Sequence, residues 1–147
     1  MTFEKTASMG FVTNHLARLF AHHLHGEIAP LGLAPAQFMT LLELWSQDGL
    51  TQAELTARLD VEQATMANTL KRMERDGLIT RSRHPEDRRA QLVWLSEHAR
   101  ALEAPAKAAA QEVNRRALTG LSDDERTSAL ALINQMISNL RTSARRG

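Results

Sequence analysis

A mainly α-helical fold carrying one small β-hairpin is predicted by three observations. Leu and Ala, both strong helix formers, recur through long stretches without Gly or Pro. A capping box, Thr51-Gln52-Ala53-Glu54, opens a short helix that a tight turn at Leu59-Asp60-Val61 joins to a longer amphipathic one. A two-stranded hairpin with a basic tip follows directly.

The first helix is expected from about Thr6 to Ala29, with Val12, Leu16, Leu19 and His23 on one stripe and Phe11, His15, Arg18, His22 and His25 on the next. Gly26 and Pro30 mark its end. Pro35 suits the first turn of a second helix, whose apolar stripe is Phe38, Leu41, Leu42 and Trp45 and which Asp48-Gly49 ends. The capping box then opens a helix to about Arg58 with Leu55 and Leu59 inward. The next helix, Glu62 to Asp76, turns Met66, Leu70 and Met73 inward and stops at Gly77. Leu78 to Arg83 and Gln91 to Leu95 read as the two strands, with His84 to Ala90 as their turn. Ser96-Glu97 starts a long helix to about Leu118, which Pro105 bends or breaks. Ser122 and Glu125 cap a last helix carrying Leu130, Ile133, Met136, Ile137 and Leu140, and Arg141 to Gly147 reads as a frayed basic end.

Composition narrows the chemistry. The chain of 147 residues suits one domain, and its several long helices leave apolar faces that a second copy can cover, which favours dimerisation. With no Cys, disulfides, thiolate nucleophiles, Cys-ligated zinc and thiol redox sensing are excluded. No apolar run is long enough to span a bilayer, and residues 1–10, with Glu4 and Lys5, lack a signal-peptide pattern; the expectation is a cytoplasmic protein with no membrane partner. The formal net charge of +1 is bland, so any nucleic-acid partner must be met by a local cluster of cations.

Such a cluster exists. Helix, tight turn, helix and basic hairpin in that order make a winged helix-turn-helix. A helix entering the major groove needs one apolar face to dock on its own domain and an opposite face of short polar and long basic side chains. Ala64, Thr65, Asn68, Lys71, Arg72 and Arg75 lie opposite Met66, Leu70 and Met73; Gln63, Thr65 and Asn68 permit close approach, and Arg72 reaches a guanine edge or a phosphate. Taken alone, this is equally the pattern of a solvated helix face. The hairpin shifts the balance, because Arg81, Arg83, Arg88 and Arg89 gather against only Glu86 and Asp87. A narrow basic ribbon suits the negative potential of the minor groove, with Asp87 able to hold an Arg side chain extended. The competing reading is a charged turn that resists edge aggregation. The predicted DNA-contacting set is completed by Thr51, Gln52 and Thr69.

The run Glu62 to Ile79 resembles the recognition helix of the MarR family of transcriptional regulators. Asp87-Arg88-Arg89-Ala90, followed by Val93-Trp94-Leu95-Ser96, resembles that family's Asp-x-Arg wing and the start of its next helix. Thr51 to Leu59 matches the preceding helix, and Leu118 to Leu140, with Gly120-Leu121-Ser122 before the acidic cap, resembles the C-terminal dimerisation helix. The similarity spans nearly the whole chain. It implies one domain over 1–147, with dimerisation helices at 1–30 and 97–141 around a winged helix-turn-helix at 35–95. It further implies a homodimer on a pseudo-palindrome of duplex DNA, Arg89 in the minor groove with Asp87 as its partner, and repression relieved by a small-molecule effector.

In this family the first and second helices commonly line the effector pocket. Here they offer Phe11, His15, Arg18 and His22 with Phe38, Met39, Leu42 and Trp45, a set suited to an aromatic carboxylate or phenolic compound. The alternative is that His15, Arg18 and His22 face a dimer interface or water. A metal on His22, His23 and His25 is disfavoured, because adjacent residues diverge on a helix and acidic partners are few. No cofactor is expected. An enzyme reading finds no nucleophile elbow, phosphate loop or paired catalytic carboxylates, and Asp123-Asp124-Glu125 is explained as a helix start. A protein-interaction module would not need a basic wing.

Overall fold

The computed structural model describes residues 2–146, and its contacts divide them into two compact units that meet between Val113 and Asn114. In the first unit, a short 3-10 turn (Lys5–Ala7) leads into α1 (Met9–Ile28). Ser8 Oγ accepts the Phe11 N–H at 3.3 Å and caps α1, so the predicted start at Thr6 falls in the preceding turn. The buried side chains of α1 are Leu24 and Ile28, while Val12, Leu16 and Leu19 of the predicted stripe stay exposed. Then come α2 (Pro35–Ser46), the two-residue strand β1 (Leu50–Thr51), α3 (Gln52–Leu59), α4 (Gln63–Arg75), β2 (Ile79–Arg83) and β3 (Gln91–Leu95).

Each element follows from local chemistry. Pro35 lacks an N–H where a helix start would leave one unbonded, and Gln37 Oε1 accepts the Ala34 N–H at 3.0 Å. At α3 the capping box is reciprocal: the Glu54 N–H donates to Thr51 Oγ1 and the Thr51 N–H to Glu54 Oε1, both at 3.1 Å. Asp60, left-handed at φ 52°, ends α3 and makes the tight turn. Gly77, at φ 74°, ends α4 in a Schellman motif: its N–H donates to the Glu74 carbonyl and the Leu78 N–H to that of Met73.

The sheet has the order β1-β3-β2, antiparallel throughout, with Ile79 opposite Leu95 and Leu50 opposite Val93. β1 was not foreseen. Its two residues precede α3 directly, too short a run to show alternation. Its position is fixed by Asp48, whose Oδ1 accepts the N–H groups of Gly49 and Leu95 at 3.0 and 2.9 Å. Gly49, at φ +72°, lies under the Trp94 ring so closely that a Cβ would come within 2.6 Å of it. The core gathers Phe38, Leu41 and Leu44 of α2, Leu55 of α3, Met66, Leu70 and Met73 of α4, and Ile79 and Val93 of the sheet. The face of α4 opposite that core is thereby left to solvent.

After β3 the long helix expected to bend or break at Pro105 is broken into two, α5 (Glu97–Ala101) and α6 (Glu103–Ala117), separated at Leu102. Pro105 has no N–H for the Ala101 carbonyl and its ring crowds that carbonyl, so the break falls there. The Trp45 indole N–H donates to the Ala99 carbonyl at 3.0 Å and anchors α5 to α2.

The second unit holds the end of α6 and α7 (Asp123–Arg146). Ser122 and Glu125 form the predicted reciprocal cap, and the Arg126 guanidinium donates to the Leu118 and Leu121 carbonyls to hold the connector. The helix runs on through Arg141 to Arg146, past the expected fraying point, with no Gly or Pro to stop it; Gly147 lies outside the described residues. Leu130, Leu132, Ile133, Ile137 and Leu140 of α7 are exposed.

Candidate nucleic-acid interface

Burying Met66, Leu70 and Met73 turns the remainder of α4 outward, and Gln63, Ala64, Thr65, Asn68, Lys71, Arg72 and Arg75 are all exposed as predicted, with Thr69 half-buried. Two concavities flank the helix. One, of about 580 Å³, is lined by Thr51, Gln52 and Thr56 of α3, Gln63 at the start of α4, and Arg81, His84, Asp87, Arg88 and Arg89 of the wing. It therefore unites the helix starts with the wing residues the sequence singled out. The other, of about 510 Å³, lies at the far end of α4, where Thr69, Arg72 and Arg75 meet His25, Gln37 and Asp76. Ala64, Thr65, Asn68, Lys71 and Arg83 line neither.

The charges fall into two groups. Lys71, Arg72, Arg83, Arg88 and Arg89 form no ion pair among the described residues. Arg75 and Arg81 are engaged. The Arg75 guanidinium bonds Asp76, with Nε 3.0 Å from Oδ1 and Nη2 3.4 Å from Oδ2, and Asp76 Oδ2 also accepts from Gln37 Nε2 at 2.9 Å. These bonds, Arg75 first and then Gln37, hold the Asp76 carboxyl below its ordinary pKa, and Asp76 raises that of Arg75. Arg81 is half-buried 3.8 Å from Glu74 Oε2, and its Nε lies buried without a hydrogen-bond partner. At α3, the bond from the Thr51 N–H holds the Glu54 carboxyl below the usual range.

The wing tip is more ordered than its composition suggests. Asp87 Oδ1 accepts the Arg89 N–H at 3.0 Å, so this carboxylate holds the Arg89 backbone rather than a guanidinium. The Asp87 carbonyl accepts the Ala90 N–H, and the His84 N–H donates to the Ala90 carbonyl, each at 3.1 Å. His84 Nδ1 accepts the N–H groups of Glu86 and Asp87 at 3.0 and 3.1 Å. His84 escaped the sequence reading. The usable signal was its place before Pro85, where Asp or Asn would make the same side-chain turn.

The expected effector residues are dispersed in character. Phe11, His15, Arg18 and His22 are exposed on α1, and Met39 is exposed on α2. Leu42 is half-buried. Phe38 is buried and meets the half-buried Trp45 edge to face, ring centres 6.1 Å apart. Among the described residues no three His, Asp or Glu side chains gather where they could hold a metal ion, and no helix is long and apolar enough to cross a membrane.

An exposed polar-basic helix beside a basic hairpin defines a winged helix-turn-helix of the DNA-binding class. Comparison with known proteins agrees. A sequence profile of the MarR family matches residues 33–90. The transcriptional regulator YwoH of Bacillus subtilis is 36% identical over 98 residues, which cover 62% of this chain and 71% of that protein. The regulator TtmR of Methylorubrum extorquens is 30% identical over 126 residues, 86% of this chain; the match spans only 60% of TtmR's length. The crystal structure of a probable transcriptional regulator from Pseudomonas aeruginosa superposes with a TM-score of 0.83 at 31% identity, covering 90% of this chain and 99% of that one. The chain belongs to the MarR family of DNA-binding transcriptional regulators, whose members are not enzymes.

Proposed function

We propose that the protein is a cytoplasmic, sequence-specific repressor that grips a pseudo-palindromic operator as a homodimer and is released by a small aromatic acid or phenolic ligand. The observation that carries the reading is the set of cations on α4 and the wing, Lys71, Arg72, Arg83, Arg88 and Arg89, with no carboxylate partner among the described residues. Cations left unpaired on one element pair, in a chain of net charge +1, make a local positive footprint suited to phosphate and groove. Gln63, Ala64, Thr65 and Asn68 meet base edges in the major groove, Arg72 reads a base or phosphate, and Arg89 enters the minor groove with Arg88 beside it.

Residues 35–95 do this work, and the helices at 1–30 and 97–141 pair two copies. Support for the pairing is the exposed apolar side chains of α1 (Met9, Phe11, Val12, Leu16 and Leu19) and of α7 (Leu130, Leu132, Ile133, Ile137 and Leu140), which a second copy would cover. The ligand is assigned to Phe11, His15, Arg18, His22, Phe38, Met39, Leu42 and Trp45. Without Cys, a thiol switch is not available to this chain. Sedimentation with a labelled duplex tests the reading: a dimer should bind, and affinity should fall about 10³–10⁵-fold between roughly 50 and 200 mM salt for six to ten phosphate contacts. A monomer, or affinity indifferent to salt, would overturn it. Calorimetry with a panel of aromatic acids tests the ligand assignment: binding should disappear in a His15→Ala/Arg18→Ala double variant, and unchanged binding would remove it.

A further inference from the structure

The wing tip of this chain is organised by an imidazole. His84 Nδ1 accepts two backbone N–H groups, from Glu86 at 3.0 Å and Asp87 at 3.1 Å, immediately before the residues proposed to meet the minor groove. A nitrogen that accepts carries a lone pair, so the ring is neutral with its proton on Nε2. The turn continues from there without a gap, since the Asp87 carboxylate takes the Arg89 N–H and the Asp87 carbonyl the Ala90 N–H. The ring thus sits at the root of the hydrogen bonds that set the backbone of Arg89.

We infer that His84 is the positioning residue of the wing, and that its neutral Nδ1 acceptor holds the Glu86–Arg89 backbone in the shape that presents Arg88 and Arg89 to DNA. The inference deepens the proposed DNA-binding role and rests on it. A proton on Nδ1 removes the lone pair and sets an N–H against two others. The turn then loses both bonds, and the Arg89 backbone is left held by Asp87 alone. The charged groups around the ring are Glu54 at the start of α3, Arg81 of β2, and Glu86, Asp87, Arg88 and Arg89 of the turn.

Two substitutions separate positioning from charge. In His84→Ala both bonds are lost at every pH. In His84→Asn the side-chain oxygen accepts the same amides, as Asn does in an Asx-turn, and does not titrate. With a labelled duplex recovered by the wild-type protein from a randomised pool, His84→Ala should bind roughly tenfold more weakly at pH 8. His84→Asn should bind within about threefold of wild type at that pH and should lose less affinity than wild type between about pH 8 and 5. The remaining histidines are common to both proteins, so the difference isolates His84. Amide resonances of Glu86 and Asp87 in the DNA-free protein supply a second reading: they should move with pH in the wild type and stay fixed in His84→Asn. Equal affinity of His84→Ala and wild type, or parallel pH profiles for His84→Asn and wild type, would overturn the inference. Amides that respond as stated in a protein that binds no duplex would leave the imidazole cap standing and refute the DNA-binding reading instead.

Discussion

Asp76→Asn should tighten DNA binding while leaving the fold nearly untouched. Asp76 caps the C-terminus of α4 and occupies Arg75 through two contacts, 3.0 and 3.4 Å, while accepting from Gln37 at 2.9 Å. In the variant the amide oxygen still takes the Gln37 N–H. The amide nitrogen now faces Arg75, so the guanidinium is released. On the stability side, a solvent-screened surface ion pair is lost, since the Arg75 and Asp76 side chains are 69% and 32% exposed. Against that, a negative charge leaves a helix C-terminus, where it opposes the dipole by about 0.3–1 kcal/mol. The two nearly cancel, and the melting temperature should shift by less than about 4 °C. On the binding side, one added phosphate contact per subunit steepens the salt slope by about 0.9 and is worth roughly 1 kcal/mol near 0.1 M salt. A dimer should therefore bind about 10- to 30-fold more tightly, with a slope steeper by about two. Fluorescence anisotropy across a salt series reads both quantities. Unchanged affinity and slope in a folded variant would refute the placement of the α4 C-terminus near phosphate.

Gly49→Ala adds a Cβ within 2.6 Å of the Trp94 ring at a φ of +72°. Left-handed strain of about 1–2 kcal/mol, plus loss of the Trp94 to Ser82 hydrogen bond at roughly 1 kcal/mol, should lower stability by about 2–3 kcal/mol in urea unfolding. The carboxyls of Glu54, Asp76 and Glu125 all lie below their ordinary pKa in the folded chain. Depressed folded values give stability that is present above the unfolded pKa and lost as pH falls through the folded one, so urea midpoints should fall below about pH 4. Glu54→Gln should flatten part of that fall, and a curve identical to wild type would show that the α3 cap does not contribute. Arg72→Ala should cost roughly 1–3 kcal/mol with relaxed specificity at one base position if Arg72 reads a base; uniform weakening across sequences would assign it to phosphate.

Much of the fold was legible because its signals are local. Thr51 with Glu54, Gly77 after Met73, and Ser122 with Glu125 each announce a helix end within four residues. Period and composition then placed the inward face of α4 and, by elimination, the outward face. What escaped depends on distant partners. β1 exists because Asp48 reaches the Leu95 amide, a contact between residues far apart in sequence. The inner face of α1, Leu24 and Ile28, is set by what α1 docks against rather than by its own pattern, since Val12, Leu16 and Leu19 share the same periodicity and remain exposed. At the interface, the sequence identified the basic residues but not their states. Only geometry distinguishes Arg72 and Arg89 from Arg75, tied to Asp76, and Arg81, set against Glu74. His84 was overlooked because a histidine acting as an Asx-like acceptor has no composition signal beyond the proline that follows it.

In the proposed function the wing grips DNA through Arg89. Its side chain makes no hydrogen bond or ion pair among the described residues, so Arg89→Ala removes no such interaction and should leave the melting temperature within about 2 °C of wild type. Its affinity for the selected duplex should fall by about 1–3 kcal/mol per subunit, roughly 30- to 10⁴-fold for the dimer. A folded Arg89→Ala protein that binds the duplex as tightly as wild type would contradict the account.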